Sequence, residues 1–168
     1  MNTLNQNSAV HAALALGSNI GDAEQIFFQA QKLLQDKGFV IEKTASVIMT
    51  DPVDCPPGTP RFANSALTGS FAGTPEELLE ITQSIEQALG RSADHGFHTP
   101  RTLDIDIIIF GDVVCRSARL TIPHPRAAGR LFVLEPLAEI APEWIFPDRK
   151  KSVETLRQEL AGKSCIGK

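Results

Sequence analysis

Hydrophobic and polar positions along the chain change period several times, and each change marks an element. Residues 1–8 are polar and read as a flexible tail ahead of a single domain over residues 9–162. Val10 to Leu16 (VHAALAL) is short and apolar and ends at Gly17-Ser18-Asn19, a strand running into a tight loop. From Asp22 the period turns helical: Ile26, Phe27, Ala30, Leu33 and Leu34 share one side, and Lys37-Gly38 closes the segment. Phe39 to Met49 returns to strand character with an irregularity near Thr44. Thr50 to Arg61 holds four prolines and a glycine, which excludes a regular element and suits a functional loop. Phe62 to Phe71 is a third strand. Thr74-Pro75-Glu76-Glu77 starts a second helix, with an N-cap threonine, proline at the first position and glutamate three residues past the cap. Its apolar side is Leu78, Leu79, Ile81, Thr82, Ile85, Ala88 and Leu89, and Gly90 ends it. Residues 91–99 form a polar loop without periodicity.

Arg101 to Phe110 (RTLDIDIIIF) follows, and its period of two is that of a strand with one face in a core. Leu103, Ile105, Ile107 and Ile109 are predicted on that face and Asp104 and Asp106 together on the other. Two carboxylates on one face with Cβ atoms about 7 Å apart repel unless a cation sits between them, so a Mg²⁺ platform is the first hypothesis. The alternative is an edge strand with a solvated acidic face, which the apolar character of the strand argues against. Gly111-Asp112 turns the chain, Val113-Val114 starts a short return strand, and residues 119–137 contain one short helix among three prolines. A last helix opens at Ser152 or its neighbour and runs through Leu160.

The order β-α-β-β-α-β followed by C-terminal helices predicts a mixed α/β (α+β) fold. A ferredoxin-like antiparallel sheet carries both crossover helices on one face, and the C-terminal helices cover the other. The Gly17 loop and the loops at Thr50 and Arg101 then converge on one edge.

Composition narrows the classes. At 168 residues the chain supports one real core, and 42% hydrophobic and 21% charged residues exclude disorder. A net charge of −4 excludes a nucleic-acid binder driven by bulk positive charge, though not a local cationic pocket. Cys55, Cys115 and Cys165 are odd in number and widely spaced, against both a disulfide framework and a zinc site. No run of 18 apolar residues and no leader pattern occurs, so the expectation is a cytoplasmic protein with no membrane partner.

Several short stretches resemble one family, the 6-hydroxymethyl-7,8-dihydropterin pyrophosphokinases of folate biosynthesis. They are LGSN at 16–19, TDPV at 50–53, FANSA at 62–66, PRTLDIDI at 100–107, RLTIPHP at 119–125 and RLFVLEPL at 130–137. The resemblance implies a three-layer αβα sandwich and an enzyme, a diphosphotransferase that moves the terminal two phosphates of ATP to the pterin hydroxymethyl group and releases AMP. It also implies residue roles. Asp104 and Asp106 would hold two Mg²⁺ ions on the triphosphate, with Arg91 and Arg101 joining them in catalysis as phosphate ligands on a loop that closes over the nucleotide. Glu86, Ile107, Arg119, Thr121, His124 and Arg130 would complete the ATP site. Phe62 and Phe132 would stack on the pterin, Asn64 would read its edge, and Thr50, Asp51, Pro52 and Val53 would supply the pocket wall. The 91–101 loop departs from the more basic family pattern with Ala93, Phe97, His98 and Thr99.

ATP and the hydroxymethyl-dihydropterin are thus the expected partners of a chain expected to be a monomer. A ferredoxin-like pterin or nucleotide binder without catalysis is the alternative, and retention of both aspartates with the arginines and His124 argues against it. An RNA-binding sheet is excluded by the missing aromatic face motif and basic surface.

Overall fold

The computed structural model describes residues 8–52, 56–90 and 102–166. Of the predicted tail only Ser8 is among them; Val53, Arg91, Arg101 and the loop that carries the two arginines lie outside the described residues.

The central strand is β1 (Val10–Ser18), antiparallel to β4 (Phe62–Phe71) on one side and to β5 (Asp104–Phe110) on the other. Strands β2 (Val40–Thr44) and β3 (Ile48–Thr50) both pair with the outer edge of β4, so the order is β2-β4-β1-β5. This is the predicted ferredoxin-like arrangement. Helices α1 (Ala23–Asp36) and α2 (Pro75–Ala88) start where the caps require. The Gln25 N–H donates to the Asp22 carboxylate at 3.1 Å, and Thr74 and Glu77 form a reciprocal capping box.

Both helices pack on one sheet face through Phe27, Leu34, Leu78 and Ile85 against Leu14, Leu16, Leu67 and Ile105. Beyond β5 come a short hairpin of β6 (Cys115–Arg116) and β7 (Thr121–Ile122), a 3-10 turn at Ala127–Gly129 and α3 (Leu131–Ile140). A second hairpin, β8 (Ile145–Phe146) with β9 (Lys151–Ser152), leads into α4 (Val153–Ile166), which runs past the predicted end at Leu160. Helices α3 and α4 cover the other face with Val133, Leu134, Leu137, Val153 and Leu156 over Ala13 and Ala66. Each buried Leu, Ile or Phe is worth about 1.5–3 kcal/mol against roughly 0–1 kcal/mol for an exposed ion pair, so these two layers, not the surface charges, hold the sheet.

Two irregularities shape the site. The predicted break near Thr44 is the gap between β2 and β3, where the Ala45 N–H donates to Ala66 O at 2.9 Å and Ser65 Oγ to Ala45 O at 2.8 Å. Glu139 of α3 accepts from both the backbone and hydroxyl of Ser46, tying the covering layer to the break. Nearby, a Cβ at Gly69 would strike the Val40 carbonyl and the Phe39 ring, so glycine there lets β2 close on β4.

The second irregularity corrects the expected alternation in β5. Ala13 pairs with Ile109 and Leu14 with Ile107, leaving Ile108 as an extra residue. The faces exchange at this bulge: Leu103, Ile105 and Ile107 lie in the α1/α2 core, Ile108 and Ile109 lie together in the α3/α4 core, and Phe110 returns to the first. Ile109 therefore does not share a face with Leu103.

Candidate active site

Register across the sheet places the site. Asn64 of β4, Gly17 of β1 and Asp104 of β5 are direct neighbours in one row, and Ala66, Ala15 and Asp106 form the row beside it. Cross-strand partners share a face, so both aspartates and Asn64 project to the α3/α4 side. That layer buries Ala13 and Ala66, whereas Ala15, Gly17, Asp104 and Asp106 remain partly open.

The backbone of β5 is held from its outer side. Glu86 of α2 is 2% exposed, and its carboxylate accepts the N–H of Ile105 at 2.7 Å, between the two aspartates. This helix glutamate is thus not on a solvated face; it braces the strand that carries the acids. Ile107 has a core side chain, so only its backbone faces any ligand.

The bulge positions the histidine. Its Ile108 carbonyl accepts the His124 N–H at 3.1 Å, bringing the ring beside β5 with Nε2 3.8 Å from Asp106 Oδ2. Nδ1 accepts the Arg126 N–H at 3.3 Å, which leaves Nε2 as the protonated nitrogen of a neutral ring. Burial pushes the His124 pKa below its ordinary value; Asp106 opposes this, and Arg130 and Arg126 add to it. The result is a neutral N–H donor beside an acidic pair, with two guanidinium groups close enough to be felt. Arg130 also lies over the Phe132 ring, 5.4 Å from its centroid.

Arg119 stands apart: it is exposed and 3.8 Å from Glu80 of α2. Thr121, on β7, is half-buried opposite Arg116.

At the other side of the trough Thr50 faces Phe62 across β3 and β4, and Thr50 Oγ1 accepts from Asn64 Nδ2 at 2.8 Å. Arg61 closes the Pro-rich loop by donating to Asp51 at 2.9 Å and to Met49 O at 2.9 Å. Pro52 is half-buried at the same loop entrance. Phe62 is half-buried near the start of β4, and Phe132 lies in the first turn of α3, which packs on that strand. Arg61 and Arg126 are absent from the sequence-based candidates because a lone arginine in a loop carries no pattern.

Among the described residues no group of three or more His, Cys, Asp and Glu side chains is placed to hold a metal. Two partly open carboxylates without a third protein ligand suit Mg²⁺, which keeps waters and takes phosphate oxygens, and not a protein-caged zinc. A separate cleft of about 240 Å³ bounded by His11, Glu42 and Trp144 lies at the opposite end of β1 and contains none of these groups.

An acidic pair under a neutral N–H donor and cationic rim, two strands away from an amide and an aromatic, suits a polyphosphate beside a planar heterocycle. The family described as 7,8-dihydro-6-hydroxymethylpterin-pyrophosphokinase (HPPK) matches residues 13–142. The chain belongs to this family. It is 45% identical over 130 residues to the 2-amino-4-hydroxy-6-hydroxymethyldihydropteridine pyrophosphokinase of Bacillus subtilis, covering 77% of each chain. It is 37% identical over 150 residues to the protein of the same description from Synechocystis, covering 89% of this chain and 75% of that one. In fold it resembles the HPPK-DHPS crystal structure of Plasmodium falciparum, with a TM-score of 0.74 at 14% identity, covering 95% of this chain but 46% of that one. This chain thus spans under half the length of that HPPK-DHPS protein, and the likeness to it is one of fold.

Proposed function

We propose that the chain transfers the β,γ-pyrophosphoryl group of ATP to the hydroxymethyl oxygen of 6-hydroxymethyl-7,8-dihydropterin, a step of folate biosynthesis, and releases AMP. The observation that carries it is the shared sheet face, on which Asn64 and the Asp104–Asp106 pair are two strands apart with a bare glycine between them. In the reaction a bond forms from the hydroxymethyl oxygen to the β-phosphorus, the bond from that phosphorus to the oxygen bridging to the α-phosphate breaks, and the hydroxyl proton is lost.

The chain's own residues supply positioning and charge, which is most of what phosphoryl-type transfer requires. Asp104 and Asp106 would hold two Mg²⁺ ions against the triphosphate; bound there, the metal neutralises phosphate charge and lowers the pKa of the attacking hydroxyl. Glu86 fixes the spacing of the acids through Ile105. His124 Nε2 donates to a phosphate oxygen with no proton exchange needed, and Arg130 neutralises charge from the rim. Arg119 and Thr121 belong to the nucleotide side by resemblance, as do Arg91 and Arg101, with the last two acting as the charge is redistributed. Phe62 and Phe132 sandwich the pterin, Asn64 binds its edge, and Thr50, Asp51, Pro52 and Val53 wall the pocket.

A monomer in the cytoplasm belongs to the same proposal. Among the described residues no helix is long and apolar enough to cross a membrane.

Separation of nucleotides after incubation with Mg-ATP and the hydroxymethyl-dihydropterin tests the reaction. AMP formed one for one with pterin consumed is expected. ADP would make the chain an ordinary kinase, and unchanged ATP a binding protein.

A further inference from the structure

At the end of β1 remote from the aspartates, the sheet face turned to α3 carries a cleft of about 240 Å³ that the proposed reaction leaves unused. Its floor is Thr68 of β4, which pairs with Ala13 and so faces the α3/α4 layer. Thr68 is 2% exposed, lines the cleft and has no hydrogen-bond partner for its hydroxyl among the described residues. Valine would fill nearly the same volume without that hydroxyl, and a buried polar group left unpaired is destabilising. The hydroxyl therefore suits a polar group that enters the cleft.

The charges around the opening supply an independent observation. In β2, Ile41 pairs with Gly69 and Lys43 with Thr68, which leaves Glu42 as an extra residue. This bulge turns two successive side chains, one anionic and one cationic, to the same cleft. They do not neutralise each other: Glu42 lies 3.3 Å from His11 Nδ1, and Lys43 Nζ donates to the Ile140 carbonyl at 3.0 Å. That bond uses one of the three ammonium donors of Lys43. Lys43 is also the ladder partner of Thr68, so its ammonium and the Thr68 hydroxyl can meet one carboxylate, while Glu42 offers an acceptor to an ammonium. Apolar surface completes the cleft, from Ile140 at the end of α3 and the half-buried Trp144, whose ring His11 meets edge-on with centroids 5.9 Å apart. A volume of about 240 Å³ equals that of about eight waters. It takes a molecule of about as many non-hydrogen atoms, and neither a nucleotide nor a bicyclic pterin fits.

We infer that this cleft is a binding site for a free α-amino acid with a short aliphatic side chain. The carboxylate accepts from Thr68 Oγ1 and Lys43 Nζ, the ammonium donates to Glu42, and the side chain lies against Ile140 and Trp144. Both ends are read at once, so a simple carboxylate or a simple amine gains only part of the charge-assisted contacts. The inference stands apart from the pyrophosphoryl transfer, because no residue of the cleft belongs to that site.

Trp144 is the only tryptophan and the chain has no tyrosine, so indole fluorescence and the indole N–H resonance report on this cleft. Both signals are followed while wild type, Thr68→Val and Glu42→Gln are titrated with L-leucine, isovalerate and isopentylamine. Leucine should give wild type a saturable change in the millimolar range or below, with each single-ended analogue bound at least tenfold more weakly. T68V should lose at least tenfold in leucine affinity while its melting temperature is held or raised, because the substitution removes an unpaired hydroxyl of the free protein. Should T68V fold poorly, E42Q decides, since that side chain lies at the surface, and it too should lose at least tenfold. No saturable change with leucine would overturn the inference and leave Thr68 to a buried water. Equal affinity for leucine and either analogue, or undiminished leucine binding in T68V or E42Q, would overturn it as well.

Discussion

His124 shows how much a single side chain's surroundings decide. An imidazole next to a carboxylate is usually drawn toward the charged form, yet burial and the two arginines outweigh Asp106 here and keep the ring neutral. A neutral donor suits the proposed site, whose net charge a bound metal and the arginines would already balance. On the proposed pterin side the comparable decision would be made by stacking. Phe62 is only half-buried, so on the proposed reading truncation would remove a ligand contact more than a core contact. Phe62→Ala is expected to weaken pterin binding by about 1–3 kcal/mol and to leave ATP-analogue affinity nearly unchanged. Titration of both ligands checks this, and equal losses would mean that Phe62 supports the fold instead.

At the scale of elements, β5 works because three others hold it. β1 pairs with its inner edge, Glu86 of α2 takes the Ile105 N–H, and the chain after β7 takes the Ile108 carbonyl through His124. Glu86→Leu would strand a buried N–H, costing about 1–3 kcal/mol, and should lower turnover by about tenfold or more through loss of register at Asp104 and Asp106. Glu86→Gln keeps an acceptor and should retain most of both. Thermal unfolding and steady-state rates of the pair check it, and an unaffected rate in E86L would remove Glu86 from the positioning of the acids. These supports also mark where sequence is a poor guide. Caps at Asp22 and Thr74, the Gly38 and Gly90 stops and the proline-rich loop are local chemistry and are legible residue by residue. The bulge is not, since Ile107 to Phe110 are all apolar and no polar position reveals which face each takes. Glu86 is illegible for the opposite reason: a glutamate on an amphipathic helix looks solvated unless its acceptor role toward a distant strand is known.

On the whole molecule, the described residues of two cores on opposite sheet faces leave one corner uncovered, and that corner is the candidate site. The ferredoxin-like order was readable because each element carries its own period, whereas the row Asn64–Gly17–Asp104 joins three strands far apart in sequence and appears only with the register. The layer of α3 and α4 sets where the opening stops, and the first turns of α4 are tied by Glu154, which accepts from Arg157 at 2.7 and 2.9 Å and from Gln158. Those bonds hold the Glu154 pKa down from 4.5 to about 2. A depressed carboxylate pKa contributes stability above the unfolded value that is lost as pH falls through the folded one. The destabilisation caused by Arg157→Ala should therefore be small and constant near neutrality and fade between about pH 4.5 and 2; a difference in melting temperature independent of pH would contradict it.

The central claim is that one sheet face joins a metal-holding acid pair to a pterin trough for a single transfer. Turnover of Asp104→Asn and Asp106→Asn at saturating Mg²⁺, ATP and pterin measures it most directly. Each variant loses a hard anionic ligand while the buried face of β5 stays unchanged, so a fall of at least about 100-fold with an intact fold is expected. Near-normal turnover in either variant would contradict the account.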